Sequence, residues 1–333
     1  MPEEEKLSEL ISNATTIVII QADNPDGDSL GSSIALEQIL TGLNKQAIMY
    51  CAVNIPDYLK YLTGWSRVVN DLPNNFDLAI IVDTSSASLI DKITDQDLSR
   101  LKSKPCLILD HHQTDATIDF AELIINRQVV ATGELIYDLA KSLDWPLNDE
   151  AKDMLAISIL SDSLGLMSAS TSAKSIQTIA ELVEAGVNLP RIDALRKETY
   201  RKSLELTKYK GQLLTRIETY LDNRLSMVLI PWEEIEKYSP LYNPPMLVIE
   251  DMRLIENNAI AIAIKSYKDG HLTGKIRANE GFPIAGKLAE HFGGGGHAYA
   301  SGFKTTDYNL DGLKKAVIET TSNLLNEISN EPV

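Results

Sequence analysis

Cysteine is scarce in this 333-residue chain: Cys51 and Cys106 are the only two, and their separation matches no metal-type spacing. A disulfide framework is excluded, and both thiols are expected to pack as small hydrophobes in a reduced, cytoplasmic setting. Cations are outnumbered as well, with 31 Lys and Arg against 47 Asp and Glu and a formal net charge of −16. A protein that holds long nucleic acid usually does so with a basic face that releases counterions, so that partner is disfavoured. Eighteen glycines and 13 prolines are too few for a low-complexity protein. No long apolar stretch follows the acidic opening Met1-Pro2-Glu3-Glu4-Glu5-Lys6, so no signal peptide or membrane anchor is expected. What is there, 44% hydrophobic and 23% charged residues, can bury two ordinary cores.

Histidine is also rare, and two of the five stand together in Asp110-His111-His112. This triplet closes the apolar run Cys106-Leu107-Ile108-Leu109 and so brings two imidazoles and a carboxylate to the end of a buried strand, where ligands sit in α/β proteins. Three other segments end in the same way. Asn24-Pro25-Asp26-Gly27-Asp28 follows the β-branched run Thr15–Ile20 and precedes a helix carrying Leu30, Ile34, Leu40 and Leu43. Its two carboxylates lie two residues apart in a strand-to-helix turn and repel each other, a repulsion that a divalent cation resolves. Phe76–Val82 is a further apolar strand ending on Asp83, and Met154–Leu160, strand or helix, leads to Asp162. Each Asp alone could simply cap the next helix. Four such segments together are better explained by convergence on one metal site.

These residues resemble the motifs of the DHH phosphoesterases, a family that includes RecJ-type exonucleases, family II inorganic pyrophosphatases and small nanoRNases with phosphatase activity on adenosine 3′,5′-bisphosphate. A fifth motif, His291-Phe292-Gly293-Gly294-Gly295-Gly296-His297 followed by Ala300-Ser301-Gly302, resembles the glycine-rich signature of the DHH-associated substrate domain. The resemblance covers nearly the whole chain and implies a metal-dependent phosphoesterase of the nanoRNase type, acting on short oligonucleotides or nucleotide phosphates. It implies two manganese ions, with magnesium as the alternative, that polarise a phosphoryl group and activate water. Asp26 and Asp83 would hold the first metal, and Asp28, Asp83, His111 and Asp162 the second. Asp110 would support the histidines and His112 would contact the phosphate or leaving oxygen. Arg277, Gly294, Gly295, Gly296 and His297 would bind substrate, the glycines by exposing backbone N–H groups and admitting close approach. The resemblance admits a homodimer. One position departs from the pattern: Ala22 stands where the nanoRNase and pyrophosphatase branches carry a metal-binding histidine, so the first site lacks a ligand unless a bulged Asp23 replaces it. That gap motivates the alternative of a nucleotide-binding regulatory protein with weakened catalysis. An exonuclease on longer single strands is disfavoured by charge, and a pyrophosphatase by the distal glycine-rich loop.

Alternating strands and helices predict an α/β fold with a largely parallel sheet and flanking helices over residues 1–190. Ala173–Ala185 reads as a helix with Ile176, Ile179, Leu182 and Val183 inward and Gly186 as its stop, and Asn188-Leu189-Pro190 as a junction. An amphipathic helix with Leu206, Tyr209, Leu213, Ile217 and Tyr220 on one face is expected to bridge the domains within 191–222, unless it is a core helix of one continuous domain. Residues 223–333 form the smaller mixed α/β substrate domain, with strands at Ser226–Pro231, Met246–Glu250, Ala259–Ser266 and Leu272–Arg277 and a helix at Pro283–His291. The cations of Arg196–Lys210 are a further candidate substrate contact.

Overall fold

The structure is a computed structural model that describes residues 3–330, and the chain divides into compact units at Arg201/Lys202. The first unit runs α1 (Glu3–Asn13), β1 (Thr16–Ile20), α2 (Gly27–Gly42), β2 (Gln46–Tyr50), β3 (Leu78–Val82), α3 (Asp95–Lys102), β4 (Cys106–Asp110) and β5 (Leu123–Asn126). Helices α4 (Thr132–Ser142), α5 (Asp149–Asp162), α6 (Ala173–Glu184) and α7 (Leu189–Thr199) complete it. The five strands form one wholly parallel sheet in the order β2-β1-β3-β4-β5. Strands buried on both faces must be apolar throughout, and Leu78–Val82 and Cys106–Leu109 are. Ile17, Ile19, Ile80 and Leu107 pack on the side of α2, α4 and α5, while Val18, Ile20, Ile81 and Ile108 pack on the side that holds Leu101 of α3. The chain leaves β1 for β2 on one side and returns for β3 on the other, so the carboxyl ends of β1 and β3 border the crevice where such sheets take ligands. Cys51 and Cys106 are free and buried, as expected from their scarcity.

Two small-residue contacts let α2, α4 and α5 approach closely. A Cβ on Gly31 would lie 2.9 Å from the Met154 carbonyl oxygen, and one on Gly133 would lie 2.0 Å from Ser158 Oγ. Gly133→Ala should therefore separate α4 from α5 and lower stability by roughly 1–3 kcal/mol, read as a reduced urea midpoint. An unchanged midpoint would show that the two helices part without cost.

The second unit runs α8 (Leu204–Thr215), β6 (Glu218–Tyr220), β7 (Leu225–Ile230), α9 (Trp232–Tyr238), α10 (Pro245–Arg253), β8 (Ile260–Ser266) and β9 (Leu272–Ala278). It ends with α11 (Ala285–His291), β10 (Gly295–Gly296), β11 (Ala300–Thr305) and α12 (Leu310–Asn330). Its mixed sheet has the order β10-β11-β9-β8-β7-β6, with β7 and β8 parallel and the other pairs antiparallel. One face packs Ile262, Ile264 and Ile276 with Leu288 of α11 and Val317 of α12. The other packs Val228, Ala261 and Ala263 with Tyr209, Ile235 and Val248 of α8, α9 and α10.

Four expectations are corrected. Met246–Glu250 is a helix, not a strand: Pro244 and Pro245 start it, and Leu247, Val248, Ile249 and Met252 are buried in a helical pattern. Residues 188–190 lie inside the first unit, because Asn188 Oδ1 caps α7 at Arg191 N and Ile192 of α7 joins the first core. The segment 191–222 is not one bridging helix: α7 and α8 are separate, α8 stops at Thr215, and Tyr220 sits on β6. Ile176 and Val183 of α6 are exposed, and only Ile179 and Leu182 of the four face the core.

Candidate metal centre

Each carboxylate of the centre is placed by a change of local structure. Asp26 caps α2, its Oδ1 accepting from Asp28 N and Ser29 N at 3.0 Å each, while Ser29 Oγ accepts from Asp26 N at 2.9 Å. This puts Asp28 in the first turn, fully buried. Asp28 Oδ2 accepts from Thr132 N (2.8 Å) and Oδ1 from Gly133 N (3.3 Å), so this carboxylate supplies the cap that Ala131, at the start of α4, has no side-chain oxygen to give. Ser32 Oγ (2.8 Å) and Ser158 Oγ (2.5 Å) also donate to Asp28 Oδ1. Asp83 follows β3 with φ +63°, a left-handed backbone that Asp and Asn tolerate better than other side chains, and its Oδ1 accepts from Thr132 Oγ1 at 3.0 Å. Asp162 is the last residue of α5.

The two histidines are held differently. Asp110 Oδ1 accepts from His111 N (2.9 Å), His112 N (3.2 Å) and His112 Nδ1 (2.8 Å), which fixes the backbone of the pair and the ring of His112. His111 Nδ1 lies 3.2 Å from the Val129 carbonyl oxygen and donates to it in the tautomer that leaves Nε2 bare. Nε2 is buried without a hydrogen-bond partner. It lies 3.4 Å from Asp28 Oδ2, 3.5 Å from Asp83 Oδ1 and 3.4 Å from Asp162 Oδ2.

Three carboxylate oxygens facing one small space repel unless a proton on His111 Nε2 or a metal cation lies among them. Burial opposes a charge on His111, but Asp162, Asp83 and Asp28 overrule it and push the imidazolium up to about 11. Burial, then the neighbouring Asp28 charge, raises Asp83 well above the carboxylate range. The hydrogen bond to Asp110 raises His112, and for Asp110 itself burial is outweighed by its bonds to His112 and Ser85, so its carboxyl is lowered. Two ligand sets have donor atoms within 4.8 Å of one another: Asp28, His111 and Asp162, and Asp83, His111 and His112. The orphaned imidazole nitrogen and the hard oxygen donors fit a divalent cation that accepts mainly oxygen ligands with one or two nitrogens.

Asp28, Asp83, Asp110, His111, His112 and Asp162, four widely spaced segments of sequence, thus come together in the first unit. Asp26 lies in neither ligand set, and its Oδ1 is committed to the cap. Ala22 is buried, and Asp23 lies in neither ligand set: its Oδ2 accepts from Lys92 N at 2.8 Å and its backbone N–H donates to Leu89 O at 2.7 Å, while its Oδ1 is buried without a hydrogen-bond partner. Thr132, Gly133 and Ser158 went unread in the sequence. The one signal was small polar residues interrupting apolar stretches at Val130–Leu135 and Met154–Leu160.

In the second unit, Arg277 is on β9 opposite Ala300 of β11, and its Nη1 donates to the Ile276 carbonyl oxygen at 2.9 Å. Gly295 and Gly296 form an edge strand opposite Gly302 and Ser301, and His297, exposed, closes the hairpin with its N–H on Ala300 O at 2.8 Å. Gly294 and Gly296 are required by their own neighbours: a Cβ would lie 2.2 Å from Gly302 O at Gly294 and 2.7 Å from Ala300 O at Gly296. Only Gly295 of the three faces open space. The basic segment at 196–210 is largely answered locally, since Arg196 and Lys197 pair with Asp193, Arg201 with Glu198 and Lys210 with Asp251.

Residues 16–164 match the DHH family, N-terminal domain, and residues 247–323 match the DHHA1 domain. Among curated relatives, the "Bifunctional oligoribonuclease and PAP phosphatase NrnA" of Mycoplasma pneumoniae is 24% identical over 86% of this chain and 86% of its own length. The "A-adding tRNA nucleotidyltransferase" of Aquifex aeolicus is also 24% identical, over 90% of this chain, but this chain spans only 34% of its length. An exopolyphosphatase-related protein from Bacteroides fragilis shares the fold, with a TM-score of 0.79, 21% identity and 97% of both chains covered. The first unit thus carries a DHH family N-terminal domain and the second a DHHA1 domain.

Proposed function

We propose that this protein is a metal-dependent phosphoesterase that hydrolyses short oligonucleotides or nucleotide phosphates, a reading supported by the name of its NrnA relative, a bifunctional oligoribonuclease and PAP phosphatase. The observation that carries the reading is His111 Nε2, buried, unpartnered and within 3.5 Å of three carboxylate oxygens. Asp28, His111 and Asp162 would hold one divalent ion, with Asp83 shared between it and a second near His112. Asp26 would join through Oδ2, the oxygen its cap leaves free. Manganese is the proposed ion and magnesium the alternative, because the donors are mostly oxygen. Bound there, the ions would polarise the phosphoryl group and lower the pKa of an attacking water.

The protein's own groups do the rest. Asp110 holds the His112 ring by Nδ1, leaving Nε2 of a half-exposed imidazole free to meet a phosphate or leaving oxygen. Arg277 can grip a phosphate through its remaining guanidinium N–H groups, and the exposed His297 can contact a second. The first unit is thus assigned catalysis and the second substrate binding. Purified full-length protein with manganese should release phosphate from adenosine 3′,5′-bisphosphate or mononucleotides from di- to pentanucleotides, with long RNA a poor substrate. One specific observation favours a second reading, a nucleotide-binding protein with weak turnover: Ala22 offers no donor and Asp23 lies in neither ligand set. Nucleotide binding with no turnover in any divalent metal would establish that second reading and overturn the first.

A further inference from the structure

The register of the second sheet lines up cations that make no ion pair. Thr273, Lys275 and Arg277 alternate with the buried Leu272, Gly274, Ile276 and Ala278 along β9, so the three share the sheet face opposite α11 and α12. On that face Thr273 is flanked across the strands by Lys265 of β8 and Lys304 of β11. Lys275 is flanked by Ala263 and Gly302, and Arg277 by Ala261 and Ala300. Helices α8, α9 and α10 cover this face over β7 and β8, but Lys275, Arg277 and Lys265 are half-buried and Lys304 is exposed. The pattern is four cations above a floor of small residues, with Lys275 and Arg277 about 7 Å apart along one strand.

Among the described residues none of these four cations makes an ion pair, although 16 other Lys and Arg side chains do. Three adjoining strands set these four cations on one face of a chain whose net charge is −16. Glu250, which acts on Lys275 from a distance, is itself paired with Arg253 at 2.9 Å. Burial lowers the pKa of both Lys265 and Lys275, with repulsion from Lys275 adding to the first and from Arg277 to the second, a tension that an anion would relieve.

We infer that Lys265, Lys275 and Lys304 extend Arg277 into a track for successive phosphates of a single-stranded oligonucleotide. The identity of the occupant rests on the phosphoesterase reading; the anion-binding row rests on the sheet register and the missing ion pairs. Small residues between the cations let a sugar–phosphate backbone lie close, whereas one phosphate could satisfy only part of the row. The track would make affinity grow with the number of phosphates.

The test is binding of a labelled pentanucleotide to the full-length protein in EDTA, where no metal-dependent cleavage occurs, across a salt series. For the triple variant Lys265→Gln, Lys275→Gln, Lys304→Gln, affinity should fall at least about tenfold and the salt slope should become shallower by about 2. A dinucleotide should lose less than the pentanucleotide. The triple Lys→Arg variant should keep the slope, which separates loss of charge from loss of fold, and Lys304→Gln alone, at an exposed position, should flatten it by about 0.7. An unchanged slope in the Gln variants, or equal competition by a pentaglutamate peptide, overturns the track. Turnover with manganese but an unchanged slope would remove the track and leave the phosphoesterase reading standing. A reduced slope in a protein that turns over nothing would do the reverse.

Discussion

Asp83→Asn is expected to lower manganese-dependent turnover of a dinucleotide by about 1000-fold, the scale of ~4 kcal/mol of lost charge stabilisation in the transition state. Asparagine is the informative replacement because Asp83 has φ +63° and Asn tolerates that backbone, while the amide oxygen can still accept from Thr132 Oγ1. The same variant should melt no lower than the parent without metal. Burial and the Asp28 charge both oppose a charge on Asp83 and outweigh its attraction to His111, so removing that charge costs the metal-free protein no net stability. With manganese at about 100 times its Kd the parent should gain about 2.7 kcal/mol of stability, and the variant should lose most of that gain. A metal-free variant that melts well below the parent would show that Asp83 is a structural residue.

Asp28→Ala should behave in the opposite way in the metal-free protein, losing roughly 3–5 kcal/mol of stability along with all turnover. Its carboxylate accepts from Thr132 N, Gly133 N, Ser32 Oγ and Ser158 Oγ and is fully buried, so it joins α2, α4 and α5 and caps α4. Removing it leaves those donors unsatisfied in a closed space. Urea unfolding in EDTA measures this directly. A loss below about 1 kcal/mol would mean that the donors find other partners and that Asp28 serves the metal alone.

The contrast between these two aspartates shows where sequence reading stops. Asp83 and Asp110 stand out as candidates because each ends an apolar run that reads as a buried strand, and four such Asp- or His-ended segments fit one shared site better than four separate caps. Asp28 was legible as a candidate ligand, but its partners were not. Thr132, Gly133 and Ser158 reach it from more than 100 residues away, and no local period encodes such a contact. Asp26 carries both meanings at once, since an Asp before a helix reads as a cap and as a ligand, and its Oδ1 serves the cap.

The same division holds for the fold. The parallel sheet followed from apolar runs alternating with helical patterns. Met246–Glu250 was misread because a short apolar run fits either element, and the deciding signal was the proline pair just before it. The amphipathic pattern on α8 continued past Thr215 only by coincidence of spacing, for Ile217 and Tyr220 lie beyond the helix end. The glycine run was read as room for substrate, whereas two of its glycines make room for β11. The basic row on β8, β9 and β11 lies beyond any local pattern, because it appears only when three strands are set in register.

The most direct measurement is anomalous diffraction at the manganese edge from crystals of the full-length protein grown with the metal. The account predicts a peak within coordination distance of His111 Nε2 and of the Asp28, Asp83 and Asp162 oxygens that face it, and a weaker second peak toward His112, where Ala22 supplies no donor. A well-ordered crystal with no peak among those four side chains would contradict the central claim, whatever activity the protein preparation showed.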